Sequence, residues 1–258
     1  MSTPNAYALV TGASRGLGRE LAEELARRGC SLILTGTNPR VESVAEELHD
    51  RYGIPAVARI ADLTRREEVL ALTADLNAHY DLFMLVNNAG MGGTRTFEEA
   101  PTDYLENILD LNVRATTLLT HQLLPNLKRQ PRAYILNIGS MAAHNPTAYK
   151  TVYPASKAFL WSFSLGLREE LKGTGVSVSV ASPGAMATND EVTARIQRQG
   201  FWGKATLKST KSIARKCIQQ TLKGKRHIII NPLSLALSCL LPDVLRTPLL
   251  SRIVKREL

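Results

Sequence analysis

The sequence predicts an α/β protein built on one doubly wound, mostly parallel sheet of seven strands. Short apolar runs alternate with stretches of helical periodicity through most of the chain. The first four runs begin at intervals of roughly 25 residues, the rhythm of β-α-β units. Most of the runs are continuously apolar rather than alternating, as strands covered on both faces are.

Residues 7–10 read as the first strand, after which Leu17, Leu21 and Leu25 repeat at helical spacing. Residues 32–34 form a second strand, followed by a helix carrying Val41, Val44 and Leu48. Residues 56–61 form a third, followed by a helix through Val69, Leu72 and Leu76, and residues 82–86 a fourth. One helical stretch is expected over residues 101–127, with Tyr104, Ile108, Leu111, Leu118 and Leu119 on it. Residues 134–138 are the fifth strand, and residues 154–172 a helix with Phe159, Phe163, Leu167 and Leu171 on one side. Residues 176–180 are the sixth strand and residues 227–230 the seventh. Right-handed crossovers join such strands into one sheet. There is no internal repeat or linker, so residues 1–258 read as a single domain. Residues 186–212 are the least regular part and are expected to form a flap over the site, and residues 231–258 an apolar and basic C-terminal extension.

Composition narrows the class. The chain of 258 residues is 44% hydrophobic and 21% charged, near the globular average, which excludes disorder over most of its length. A membrane-spanning helix needs roughly 20 consecutive apolar residues. The best candidate, residues 228–241, is broken by Asn231, Pro232 and two serines. Residues 1–7 carry neither a basic region nor an apolar run, so no signal peptide is expected. Cys30, Cys217 and Cys239 are odd in number and far apart, which argues against a disulfide framework or a metal site and for a reducing, cytoplasmic compartment. Residues 1–190 hold 18 Lys and Arg against 20 Asp and Glu, and residues 191–258 hold 14 against 3. The basic quarter fits an anionic partner or a solvated face. No nucleic-acid-binding motif accompanies it, so nucleic acid is not an expected partner.

The first strand runs into Thr11-Gly12-Ala13-Ser14-Arg15-Gly16-Leu17-Gly18. Glycines permit a tight turn and close backbone approach to a diphosphate, and the helix that follows presents free N–H groups and the positive end of its dipole. Further along come Asp62-Leu63, Asn87-Asn88-Ala89-Gly90, Ser140 with Tyr153-x-x-x-Lys157, and Pro183-Gly184 followed by Thr188. With these five motifs in this order, the chain resembles the short-chain dehydrogenase/reductases of about 250 residues, over nearly its whole length through Thr188.

The resemblance implies a Rossmann-type fold and an oxidoreductase that interconverts a ketone or aldehyde with an alcohol by hydride transfer to or from a nicotinamide cofactor. Tyr153 and Lys157, four apart, share a helix face. A free tyrosine has a pKa of about 10. A neighbouring ammonium is expected to lower it toward the working range, so Tyr153 is the candidate general acid and base and Lys157 its tuner and a ligand of the nicotinamide ribose. Ser140 ends the fifth strand and is the candidate donor to the substrate oxygen. Asn112 matches the family's asparagine in a water-mediated proton relay to Lys157. For the cofactor, the candidates are Gly12, Ser14, Arg15, Gly16, Leu17 and Gly18 at the phosphates, Thr37, Asp62 and Leu63 at the adenosine, and Asn88, Ala89 and Gly90 beyond the fourth strand. Tyr153 and Lys157 also border it, and Pro183, Gly184 and Thr188 hold the nicotinamide carboxamide. Met141, His144 and Met186 are candidates for lining the substrate pocket.

The second strand ends Thr35-Gly36-Thr37-Asn38 without the carboxylate that selects a free ribose 2′-hydroxyl. Arg15 and Arg40 suit a 2′-phosphate, so NADP(H) is expected over NAD(H). Thr37 stands where NADP-preferring relatives often carry arginine. Expected partners are a small-molecule carbonyl or alcohol substrate and further copies of the chain in a homodimer or homotetramer. Apolar residues 233–241 and 245–254 beside Lys and Arg make the C-terminus a candidate for peripheral membrane contact and point toward hydrophobic acyl, sphingoid or steroid ketones. The competing class is a non-catalytic NADP(H)-binding regulator on the same fold.

Overall fold

The structure, a computed structural model, describes residues 6–184 and 209–258, apart from the side chains of Leu233, Ser234, Leu237 and Cys239. Apolar runs become the strands β1 (Tyr7–Thr11), β2 (Ser31–Gly36), β3 (Ala56–Ile60), β4 (Leu82–Asn87), β5 (Ala133–Ile138), β6 (Val176–Ser182) and β7 (His227–Ile229). They pair in the order β3-β2-β1-β4-β5-β6-β7, parallel at every step, so the chain winds outward from β1 to one edge and from β4 to the other. The change of direction between β1 and β4 opens a crevice at their carboxyl ends, where ligands collect in such sheets.

The periodic stretches become α1 (Gly16–Ala26), α2 (Arg40–Tyr52), α3 (Arg66–His79), α4 (Thr102–Leu109), α5 (Thr116–Lys128), α6 (Val152–Glu170) and α7 (Thr210–Leu222). After β7 come α8 (Pro232–Leu240), α9 (Asp243–Val254) and a 3-10 turn (Lys255–Glu257). Two cores cover the two faces of the sheet. Leu21 and Leu25 of α1, Val41 and Leu48 of α2 and Cys217 of α7 lie in one, and Leu72 and Leu76 of α3 with Leu119 and Leu123 of α5 in the other. At roughly 25 cal/mol per Å² of apolar surface, these strand and helix faces carry most of the driving force for folding.

The helix expected over residues 101–127 is interrupted. Residues Asp110–Ala115 form a π-helical turn between α4 and α5, a local widening that periodicity does not register and that is common at functional sites. The expected flap at 186–212 lies outside the described residues up to 208. Residues 210–212 are the first turn of α7, capped by the Ser209 hydroxyl, which accepts from Ser212 N.

Candidate active site

The glycine-rich turn joins β1 to α1. Gly12 and Gly16 have φ of 65° and 57°, the left-handed region where a side chain is strained. A Cβ on Gly18 would stand 2.1 Å from the Gly12 carbonyl oxygen, so the position admits only glycine. Thr11 braces the turn from below. Its hydroxyl accepts from the backbone N–H of Asn88 at 3.0 Å and of Ala89 at 2.9 Å, while Asn88 Nδ2 donates to Thr11 O at 2.9 Å. The end of β4 is thus bonded to the turn.

The first turn of α1 holds no acidic residue, and Arg15 before it makes no side-chain cap. Its N–H groups are therefore available to a phosphate. A glycine cradle closed to any Cβ, beside uncapped donors, fits a dinucleotide diphosphate. Leu17 is buried under this turn, and Ser14 lies against Gly36 at the end of β2. Arg15, Thr37 and Arg40 are exposed near that strand end. Asp62 stands at the end of β3 and accepts from Thr64 Oγ1 at 2.7 Å, and Leu63 is buried beneath it.

Tyr153 and Lys157 lie on the first two turns of α6. Pro154 is accommodated there because the first-turn N–H groups have no intrahelical partner. Ser140, which follows β5, acts on the Tyr153 phenol, holding its pKa down in part against burial. Ser140 also caps the 3-10 turn Met141–His144, its hydroxyl accepting from Ala142 N at 3.1 Å. The cap and the contact with Tyr153 coexist in one side chain. Met141 N donates to Pro183 O at 2.9 Å, so the Ser140 loop and the Pro183-Gly184 loop after β6 are joined.

Lys157 is buried and donates to Ile138 O at 2.9 Å. Burial lowers its pKa to about 8, so the ammonium still persists at neutral pH. Here the expectation about Tyr153 needs correction. Burial pushes the phenol above its usual value, and the Ser140 side chain offsets that in part. Lys157 Nζ lies 5.9 Å from the Tyr153 ring centroid and faces the end of β5, so desolvation outweighs it in this arrangement.

Asn112 sits in the π-helical turn, fully buried, with its side chain engaged on both sides. Oδ1 accepts from Met91 N at 2.9 Å, and Nδ2 donates to Met91 O and to Ser156 Oγ, each at 2.9 Å. It braces the segment after β4 against α6. A Cβ on Gly90 would stand 3.1 Å from Asn112 Oδ1 and 3.2 Å from Lys157 Nζ, so both groups converge there.

The structure thus brings Ser140, Tyr153, Lys157, Asn112 and Gly90 together, with the glycine turn and Asn88-Ala89 along the same carboxyl edge. Thr188 and Met186 lie outside the described residues. Met141 is buried, and His144 packs edge-on against Trp161 at 5.4 Å and beside His227 at 5.8 Å.

Sequence reasoning passes over Gly92. A Cβ there would fall 2.4 Å from Tyr153 Cδ2, so this glycine lets the ring lie against the backbone. The Gly92-Gly93 doublet just after Asn88-Ala89-Gly90 is the signal that points to it. Ser156, which ties Asn112 to the Tyr153 carbonyl, carries no comparable signal. Beside Tyr153 lies a small hollow of mixed lining, among it Arg95, Phe97, Tyr104, Tyr149 and Val152. Among the described residues no cluster of His, Cys, Asp or Glu could hold a metal.

Known proteins share this arrangement to different extents. A family model described as short chain dehydrogenase matches residues 6–199. An uncharacterized oxidoreductase of Staphylococcus saprophyticus is 32% identical over 226 residues, which cover 87% of this chain and 94% of that protein. A very-long-chain 3-oxoacyl-CoA reductase of Anas platyrhynchos is 33% identical over 189 residues, 71% of this chain but 60% of the relative, so the chain spans under two thirds of that protein. Among solved structures, a short-chain dehydrogenase from Sphingobium yanoikuyae in complex with NADPH is 29% identical with a TM-score of 0.78, covering 95% of each chain. The bulky-bulky ketone specific alcohol dehydrogenase from Comamonas testosteroni is 26% identical with a TM-score of 0.79, covering 96% of this chain and 95% of that one.

Proposed function

This chain belongs to the short-chain dehydrogenase family and is an oxidoreductase, and from that premise we propose that it interconverts a hydrophobic ketone with its alcohol, using NADP(H) in preference to NAD(H). The observation that carries the reading is the convergence of Ser140, Tyr153 and Asn112 with buried Lys157, which lies one turn beyond Tyr153 along α6.

A nicotinamide dinucleotide supplies the hydride in reduction and takes it in oxidation. The glycine turn would hold its diphosphate, Asp62 and Leu63 its adenosine, and Lys157 its nicotinamide ribose. In reduction, the carbonyl oxygen gains negative charge as the hydride arrives at carbon. Ser140 donates a hydrogen bond to that oxygen, and Tyr153 delivers the proton. In oxidation Tyr153 takes the proton from the alcohol. Asn112, whose side chain is taken up by Met91 and Ser156, would serve a proton relay from Lys157 to Tyr153 by holding those two segments in place. The NADP(H) preference is supported by exposed Arg15 and Arg40 and by the missing carboxylate after β2. The hydrophobic substrate class is supported by the similarity to 3-oxoacyl-CoA reductases, beside which Phe97, Leu105 and Val152 on the mixed wall near Tyr153 are a lesser support.

A fine point of location belongs to the same proposal. Leu240, Val244, Leu245 and Leu249 are exposed on α8 and α9, and Arg252, Lys255 and Arg256 are exposed beside them. Apolar surface rimmed by cations suits an anionic lipid surface. Among the described residues, no helix is long and apolar enough to cross a membrane.

NADPH oxidation followed with 3-oxoacyl thioesters, ketosteroids, 3-ketosphinganine and simple aldehydes tests the activity. Turnover of at least one hydrophobic ketone is expected. Tight NADPH binding with no turnover across the panel favours the regulator instead, and tighter binding of NADH overturns the cofactor preference. Flotation with anionic and neutral liposomes tests the location. Binding to anionic vesicles that disappears in a Val244→Asp, Leu245→Asp variant is expected. A variant that instead loses its oligomeric state assigns the face to a second copy of the chain.

A further inference from the structure

The loop that leads into α6 is held from outside at three consecutive residues. Ala148 N donates to Ser251 Oγ of α9 at 2.9 Å. Tyr149 O accepts from Arg95 N at 2.8 Å. Lys150 Nζ lies 2.7 Å from Glu257 Oε2 and 3.0 Å from Oε1. The same carboxylate accepts from Thr94 Oγ1 at 2.5 Å. The Glu257 side chain is 0% exposed and that of Lys150 21%. One buried carboxylate therefore joins three segments far apart in sequence: the turn after α9, the stretch after β4 and the approach to α6.

Between the last two segments lies the pocket that contains Tyr153. Tyr149, in its wall, has φ of 66°. A bulky residue in the left-handed region persists only when its surroundings over-determine it. The external bonds to 148, 149 and 150 do that. Lys150 O in turn accepts from Tyr153 N at 3.0 Å, so the loop runs directly into the residue proposed to move the proton. A buried ion pair adds little stability over a well-packed apolar pair, but it accepts few geometries. Its use here is to set the spacing of the two loops.

We propose that Glu257 is a positioning residue for substrate binding, acting through Lys150 and Thr94 to hold both walls of the pocket beside Tyr153. The inference deepens the reductase reading and rests on it for its kinetic consequence. Tyr153 itself is anchored on α6 and against Gly92, and the glycine turn lies at β1. Loss of Glu257 therefore opens the substrate walls while leaving the cofactor cradle intact.

The test compares Glu257→Ala, Glu257→Gln and Thr94→Val with the unaltered chain of 258 residues. KM and kcat for the best ketone of the panel are measured beside the NADPH Kd and the hydrogen exchange of residues 91–97 and 146–152. For Glu257→Ala the expected result is a ketone KM raised at least ~10-fold with kcat and NADPH Kd within ~3-fold, and faster exchange in both segments. Glu257→Gln keeps an acceptor for Thr94 and falls between. The pair Lys150→Glu, Glu257→Lys recovers most of the KM, and Glu257→Lys alone does not. Unchanged KM and unchanged exchange overturn the proposal. So does a parallel loss of kcat, NADPH binding and melting temperature, which marks a general folding element. If the intact protein reduces no ketone, the reductase reading fails, and the exchange data alone judge the clasp.

Discussion

Tyr153 and Lys157 are both buried ionisable groups, and burial moves them in opposite directions, the phenol up and the ammonium down to about 8. Each shift favours the neutral form. A phenol held above its usual pKa is a reliable proton carrier at neutral pH, which suits reduction. Tyr153→Phe keeps the ring against Gly92 and removes only the proton. It should lower kcat at least ~10²-fold with an NADPH Kd within ~3-fold, measured by stopped-flow absorbance and fluorescence titration. Turnover near that of the intact protein removes Tyr153 from the chemistry. Lys157 has a thermodynamic signature of its own. Its folded pKa lies below the 10.5 of the unfolded chain, so between pH 8 and 10.5 the unfolded state binds more protons. Stability owed to this group therefore rises with pH across that window. Relative to Lys157→Met, the native protein should gain on the order of 3 kcal/mol between pH 7.5 and 10.5, read by urea unfolding at each pH. A flat difference shows that Lys157 is not desolvated.

The π-helical turn shows how an element can serve the site more than its own regularity. A continuous α-helix through 110–115 would turn Asn112 to another face, and its three hydrogen bonds to Met91 and Ser156 would be lost. Those bonds hold the segment that places Gly92 under the Tyr153 ring. Gly92→Ala puts a methyl 2.4 Å from Tyr153 Cδ2, and neither the backbone nor the ring is a flexible end that can yield. The expected result is a kcat lowered ~10- to 100-fold through displacement of the ring, together with a melting temperature lowered by several degrees. Thermal unfolding and steady-state kinetics on one preparation check it, and an unaltered kcat shows that the segment moves aside.

Across the molecule, α7 packs on α1 and buries Cys217 in the core that covers one face of the sheet. Burial pushes the Cys217 thiol up to about 12. A thiol so far from its thiolate reacts only when the core opens. In a Cys30→Ser, Cys239→Ser background, Cys217 should stay unlabelled by a disulfide reagent at pH 8 for hours and react within minutes in denaturant. Labelling without denaturant means that α7 detaches from the sheet on its own. The uneven charge also belongs to the whole fold. Arg252, Lys255 and Arg256 are exposed on the same C-terminal stretch as the exposed apolar residues of α8 and α9, and the 3-10 turn that follows carries Glu257 back to the pocket.

Most of the architecture and the core of the site were legible before any coordinates. Apolar runs and helical repeats report burial directly, so the strand and helix positions come out within a few residues. Motifs such as Thr11 to Gly18 and Tyr153-x-x-x-Lys157 are local and carry their own spacing. What depends on contacts between distant residues was not legible. The π-helical turn has the composition of an ordinary helix, and only its packing against Met91 and Ser156 selects the wider form. The Tyr153 pKa turns on how much water is excluded and which way Lys157 points, and neither is written in a four-residue spacing. Glu257 meets Thr94 and Lys150 across 163 and 107 residues. A single charged residue at such a separation leaves no periodic or spacing signal, and only the folded chain brings its partners within reach.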